Sequence, residues 1–166
     1  MHLEFDMIDL GKMRHFLGIE VIHNEAGIFI CQRRYALEIL AHFNMLVRNP
    51  MVPRTILSKD DAGIPVHVTK FKQAVGSLMY LKVTRPYLMF GVGLISRYMA
   101  NPKESHWAAT KWLLRYLKGT VEHGLFYEKG RKMSFTAYID NNYAWDLDDK
   151  RSTTRSVFMI GTAAVC

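Results

Sequence analysis

Residues 75–120 read VGSLMYLKVTRPYLMFGVGLISRYMANPKESHWAATKWLLRYLKGT, and the fold turns on how this stretch is read. Its apolar residues recur at helical spacing through two breaks, which predicts three consecutive helices. The first is expected over 70–83, with Thr69 as its cap and Phe71, Val75, Leu78, Met79 and Lys82 on one side. Gly76 and Ser77 thin that helix. They either admit a neighbouring helix or simply cost about 1 kcal/mol in propensity. Thr84, Arg85 and Pro86 break the chain, and Pro86 suits the first position of a second helix ending near Met99. Asn101, Pro102 and Glu104 predict a cap, a pre-set first turn and an acidic residue at the positive end of a third helix, which Gly119 ends.

On that third helix Lys111, Arg115 and Lys118 follow one another at spacings of four and three, so they share a face, while Thr110, Leu113, Leu114 and Leu117 point elsewhere. A cationic row of this kind suits the solvated side of an amphipathic helix. The functional reading is a helix laid along a phosphate backbone, with Trp107, Trp112 and Tyr116 near it and Arg97 on the preceding helix.

Outward from this stretch, residues 16–32 carry two Ile/Val/Phe-rich runs separated by Asn24, Glu25, Ala26 and Gly27, a hairpin signal. Gly27 is expected at positive φ at the end of the loop. Gly18 falls inside the first run, as a bulge, a close approach or a weak strand position. Residues 33–43 have the period of an amphipathic helix. Residues 47–66 lose all periodicity among Pro50, Pro53, Gly63 and Pro65, and read as a linker that tethers two packing units or crosses a surface. Toward the C-terminus, residues 133–140 alternate like a half-buried strand, and 156–161 can pair with them. Asp140 ends the first of these, with Asp146, Asp148 and Asp149 beyond it. Such carboxylates suit Mg²⁺, and they are equally ordinary as turn formers or solvated charge.

The chain has 166 residues, 49% of them hydrophobic, which is enough for a modest core. A formal net charge of +7 favours an anionic partner such as nucleic acid, or serves solubility alone. Two cysteines exclude a disulfide framework. The acidic residues near the N-terminus do not suit a signal peptide, and charges interrupt every long apolar run, so the expected setting is the cytoplasm or nucleus without a membrane. The seven histidines show no zinc-ligand spacing. No Gly-x-Ser-x-Gly, Walker or dinucleotide fingerprint occurs either.

Several stretches, in order, resemble one family: FDMIDLGKMRHFLGIEV, GIFICQRRYALEIL, VGSLMYL, TRP, LISRYMANP, HW, LLRYLKGT, GLFY and DLDDKRSTT. Together they resemble the Pol polyprotein of Ty1/copia-type retrotransposons, over the end of its reverse transcriptase and the start of its RNase H. The resemblance implies an α+β chain in which a β-hairpin precedes a mainly helical thumb and connection, followed by an incomplete RNase H-like strand pair. Its parts would be the end of the palm over 1–46, a linker over 47–68, the thumb and connection over 69–127 and a truncated RNase H start over 128–166. Phe16, Leu17 and Gly18 match the element resembling the primer grip. Arg97, Lys111, Arg115 and Lys118 would meet template–primer nucleic acid.

Asp140 matches the first RNase H carboxylate, a vestigial catalytic position whose Mg²⁺ belongs to the family's chemistry. The sequence departs from the family at that point. YIDNNYAWD puts Asn142, Tyr143 and Trp145 where Asp, Trp and Gly are usual, Arg155 stands where Gly is usual, and Tyr87 replaces an acidic residue after Thr-Arg-Pro. The polymerase signature Tyr-x-Asp-Asp is absent, and the chain stops before further RNase H carboxylates. The expectation is therefore a fragment of an RNA-directed DNA polymerase that is inactive alone, binds no cofactor and at most binds nucleic acid, the polymerase half of Pol being its missing partner. The alternatives are a working non-catalytic nucleic-acid-binding module and a transposon-derived protein-interaction or effector-like protein.

Overall fold

The computed structural model describes residues 11–45, 57–58, 63–130, 134–142 and 153–164. Strands β1 (His15–Phe16), β2 (Ile19–His23) and β3 (Gly27–Cys31) form an antiparallel meander, one strand more than the hairpin read from sequence. Gly18 lies in no strand. It forms the β1–β2 turn with Leu17, at φ +74° and +47°, the paired left-handed residues of a two-residue hairpin whose twist matches its strands. A leucine in that conformation costs about 1 kcal/mol, so the turn depends on its surroundings.

The β2–β3 loop begins at Asn24 as expected: its side-chain oxygen accepts from the Gly27 N–H at 2.7 Å, and its own N–H donates to the Gly27 carbonyl. Gly27 is not at positive φ, contrary to expectation. It is a glycine because a Cβ there would stand 2.1 Å from the carbonyl oxygen of Tyr127. That neighbour belongs to β4 (Gly124–Glu128), which pairs antiparallel with β3, giving a sheet of order β1-β2-β3-β4.

Helix α1 (Arg33–His42) buries Ala36, Ile39 and Leu40, following its expected period. Helix α2 (Val68–Leu81) starts and ends two residues earlier than expected, because His67 and not Thr69 caps it, through Nδ1 accepting from the Lys70 N–H. Its inward row is Phe71, Ala74, Val75, Leu78 and Leu81, while Met79 is exposed. Gly76 admits no neighbour, since a Cβ there would meet nothing within 4 Å. The close approach is at Gly91, where a Cβ would lie 2.7 Å from Leu113.

Pro86 opens a 3₁₀ turn (Pro86–Leu88), in the first-turn position expected, and α3 (Met89–Ser96) continues from it. Helix α4 (Glu104–Gly119) buries Thr110, Leu113, Leu114 and Leu117 as its period predicts. Its cap is Lys103, not Asn101. His106 reaches back so that its Nδ1 accepts from the Lys103 N–H at 3.0 Å, and its Nε2 bonds the Ser58 carbonyl. The preceding loop fills the place foreseen for Asn101: the Glu104 N–H donates to the Ile64 carbonyl, and Val66 donates to Pro102.

All four helices contribute to one apolar core, from Ala36 and Leu40 through Phe71, Leu78 and Leu81 to Val92, Ile95, Leu114 and Leu117. Each such side chain contributes about 1.5–3 kcal/mol by leaving water. Beside this core lies a polar knot that periodicity does not foretell. Arg85 is wholly buried, and its guanidinium donates to the carbonyls of Thr120 and Val121 and to the Tyr87 hydroxyl. It thereby supplies donors to the C-terminal end of α4, where carbonyls lack partners and a cation is favoured. Its neighbour Thr84 donates to the buried Gln32 side chain at 2.8 Å. The Thr-Arg-Pro sequence thus ties the start of α1, the exit of α2 and the end of α4 together.

Beyond β4, strands β5 (Phe135–Asn142), β6 (Thr153–Ile160) and β7 (Ala163–Ala164) form a second antiparallel sheet in chain order. The expected pair is present but is joined by a third strand, which its two-residue length hides from sequence patterning. The Thr162 hydroxyl donates to the Phe126 carbonyl of β4, linking the two sheets. Among the described residues the architecture is α+β, with four helices and two antiparallel sheets.

Candidate nucleic-acid interface

Two surfaces carry the residues singled out from sequence. The first is the β1–β2 tip, where Phe16 and Leu17 are exposed. The Tyr80 hydroxyl of α2 donates to the Leu17 carbonyl, and Tyr35 of α1 packs edge-on against Tyr80 with ring centroids 5.2 Å apart. This tip is therefore held on the helical core, which is how a leucine comes to be kept in the left-handed region. Tyr35 reads from sequence only as part of the amphipathic face of residues 33–43, and Tyr80 falls outside the apolar row expected for residues 70–83.

The second surface is the outer side of α4. Its most exposed large side chains are aromatic: Trp112 and Tyr116, 49% and 43% exposed, lie with rings stacked at 6.2 Å and 15°. The cations flank them. Lys111, Arg115 and Lys118 are half-buried, so the face is an aromatic strip with a basic edge and not the plain cationic stripe expected. Lys111 and Lys70 both place their ammonium groups over the Trp107 ring, at 5.8 and 5.3 Å, cation–π contacts that draw them toward the helix surface. Arg115 shares a helix side with Trp112, three residues apart, and its Nε is buried without a hydrogen-bond partner among the described residues. Arg97 is exposed at the C-cap of α3, on another element, and does not extend the α4 row.

Tyr87, on the 3₁₀ turn, packs edge-on against Tyr116 at 5.8 Å and against His123 at 6.1 Å. A groove of about 440 Å³ opens between α3 and α4 beside these rings, lined by Phe90, Leu94, Ala109 and Leu113 among others. Its lining is almost entirely apolar, with Tyr87, Trp112 and Tyr116 at its rim.

Asp140 stands in β5 at the register position opposite Arg155. Its side chain, like Asp146, Asp148 and Asp149, lies outside the described residues. His106 is buried, stacked 3.9 Å from the Tyr98 ring and bonded through both nitrogens, which is structural use. Cys31 is buried in β3, and burial pushes its thiol above the ordinary value, the backbone hydrogen bond at Arg33 opposing this. It is not a nucleophile of the interface.

The fold and this surface define a mixed α/β protein with a basic, aromatic outer helix. The chain is 40% identical over 161 residues to the retrovirus-related Pol polyprotein from transposon RE2 of Arabidopsis thaliana, and 39% identical to that from transposon RE1 of the same plant. In each case the match covers 95% of this chain and 11% of the polyprotein, so the chain spans about a ninth of those relatives. An uncharacterised mitochondrial protein of A. thaliana is 34% identical, over 95% of this chain and 67% of that protein. No family model and no solved structure matches. The chain belongs to the retrovirus-related Pol polyproteins of Ty1/copia-type transposons. Among the described residues, no helix is long and apolar enough to cross a membrane.

Proposed function

We propose that the chain is the part of Pol that grips template–primer nucleic acid, running from the end of the reverse-transcriptase palm through thumb and connection into the start of RNase H, and that it performs neither polymerisation nor RNA cleavage by itself. The observation that carries this reading is the outer side of α4. There Lys111, Arg115 and Lys118 border the exposed rings of Trp112 and Tyr116 on a chain of formal charge +7. Cations positioned along one helix meet phosphates and hold register on a duplex without reading its sequence. The Phe16–Leu17–Gly18 tip, braced by Tyr80, is the second contact and takes the place of a primer grip.

The family's chemistry is metal-assisted and depends on several carboxylates gathered around Mg²⁺. In β5 the backbone places Asp140 in register opposite Arg155, and the side chains of Asp140, Asp146, Asp148 and Asp149 lie outside the described residues. No step of a metal-dependent reaction is therefore assigned to this chain. Its partners on this reading are the template–primer duplex and the remainder of Pol.

The test is an electrophoretic shift of a recessed primer–template duplex by the purified chain at two salt concentrations. Retardation that weakens at the higher salt is expected. Absence of a shift at both, or magnesium-dependent primer extension or hybrid cleavage by the chain alone, contradicts the proposal.

A further inference from the structure

We infer that the ring row running from His123 through Tyr87 and Tyr116 to Trp112 is a stacking platform for unpaired nucleotide bases, so that this face holds single-stranded nucleic acid. The inference rests on the nucleic-acid reading above and goes beyond it, since a grip on phosphates alone needs no rings.

The row is continuous. Trp112 and Tyr116 lie near-parallel at 6.2 Å, and Tyr87 stands edge-on to Tyr116 and to His123. Tyr87, Tyr116 and Trp112 are each more than two-fifths exposed, although the residues beneath them on α4 are buried. Their position is fixed from below, because the buried Arg85 that binds the end of α4 also donates to the Tyr87 hydroxyl at 3.1 Å. A contiguous patch of large apolar side chains held rigidly in water marks a binding surface.

Charge complementarity identifies the occupant. On α4 the strip has an apolar groove along one side and the cationic edge of Lys111, Arg115 and Lys118 along the other. Arg115 stands three residues past Trp112 on the same side of the helix. A ligand that is planar and apolar on its faces but anionic along one side matches this arrangement, and an unpaired oligonucleotide has that form. A duplex can engage the cationic edge but not the rings, since its base faces are already stacked.

The test compares fluorescence anisotropy of a labelled oligothymidylate with that of an abasic oligomer of equal length and charge. The full chain and its Trp112→Ala, Trp112→Phe and Tyr116→Ala variants are measured, with circular dichroism reporting their fold. The chain is expected to bind the base-bearing oligomer about tenfold or more tighter than the abasic one, as one or two stacked bases supply. Trp112→Ala should lose about tenfold on the base-bearing oligomer and nothing on the abasic one, and Trp112→Phe should keep most of the preference.

Equal affinity of the wild-type chain for the two oligomers overturns the inference, leaves the phosphate grip standing and turns the patch over to a protein partner. A base preference that survives both alanine variants, or that is lost in a folded Trp112→Phe variant, overturns it as well. Failure to bind either oligomer together with failure to shift the duplex overturns both readings.

Discussion

The helical core and the C-terminal sheet of this chain handle the same kinds of side chain in opposite ways. Around α2 and α4, Phe71, Val75, Leu78, Leu114 and Leu117 are completely buried, and even a guanidinium is enclosed and hydrogen-bonded. In the β5–β6 pair, Phe135 is 70% exposed and Ile139 65%, with Tyr138 and Val157 also exposed. Phe135 still stacks on Phe158 at 5.8 Å, so the sheet has side-chain pairs that no layer covers among the described residues. A sheet of three strands needs a buried hydrophobic face or a packing partner to be stable. The lesson is that the two regions depend on different things: the helices on their own interdigitation, the second sheet on its neighbours.

Substitution of Arg85 probes this contrast with the largest expected effect. Arg85→Ala leaves the buried Thr120 carbonyl and the part-buried Val121 carbonyl without their donor, at about 1–3 kcal/mol for the buried one, and empties the space the side chain filled. A loss of about 4 kcal/mol in chemical denaturation is expected, with α4 loosened at its C-terminal end. A variant as stable as the wild type would mean that the knot at the end of α4 holds nothing together. Next in size is Leu114→Ala in the core, at about 3 kcal/mol, against less than about 1 kcal/mol for Phe135→Ala in the exposed sheet. Equal losses from these two would erase the distinction between the regions.

Hydrogen exchange sharpens the contrast without mutation. Amides of α2 and α4 should exchange only through global opening, whereas those of β6 should exchange through local opening at least about tenfold faster. The smallest effect concerns Cys31. Burial raises its thiol above the ordinary value of 9.0, so the folded chain keeps this proton longer than the unfolded one. The stability that this contributes is complete below the unfolded thiol's value and is lost as pH rises through the folded one. Alkylation of Cys31 at pH 8 should therefore track unfolding, and prompt modification of the native chain would show that β3 is not sealed against β4.

Much of this fold is legible in the residues. The period of residues 33–43 and of the 75–120 stretch yields α1 to α4, and Asn24 marks the β2–β3 loop correctly. What escapes has a common cause, namely that distant parts of the chain decide it. β4 is five residues long and is recognisable only by its partner β3, nearly a hundred positions earlier. The caps of α2 and α4 move because the His67 and His106 rings accept from the Lys70 and Lys103 N–H groups.

Arg85 reads as surface charge before a proline, yet the end of α4 encloses it. On the candidate interface, the three α4 cations are legible from their spacing. The exposure of Trp112 and Tyr116 is not, because nothing in the local pattern tells that α3 covers Leu113 but leaves those rings in water.

The central claim is that α4 meets phosphates through Lys111, Arg115 and Lys118. Its most direct test is the salt dependence of duplex affinity for the wild-type chain and for the triple alanine variant at those positions. Three phosphate contacts give a logarithmic slope of about −2.7, so affinity should fall roughly fortyfold between about 50 and about 200 mM salt. The triple variant should bind weakly and lose most of that slope. A wild-type affinity indifferent to salt, or a triple variant with the same slope, would contradict the account.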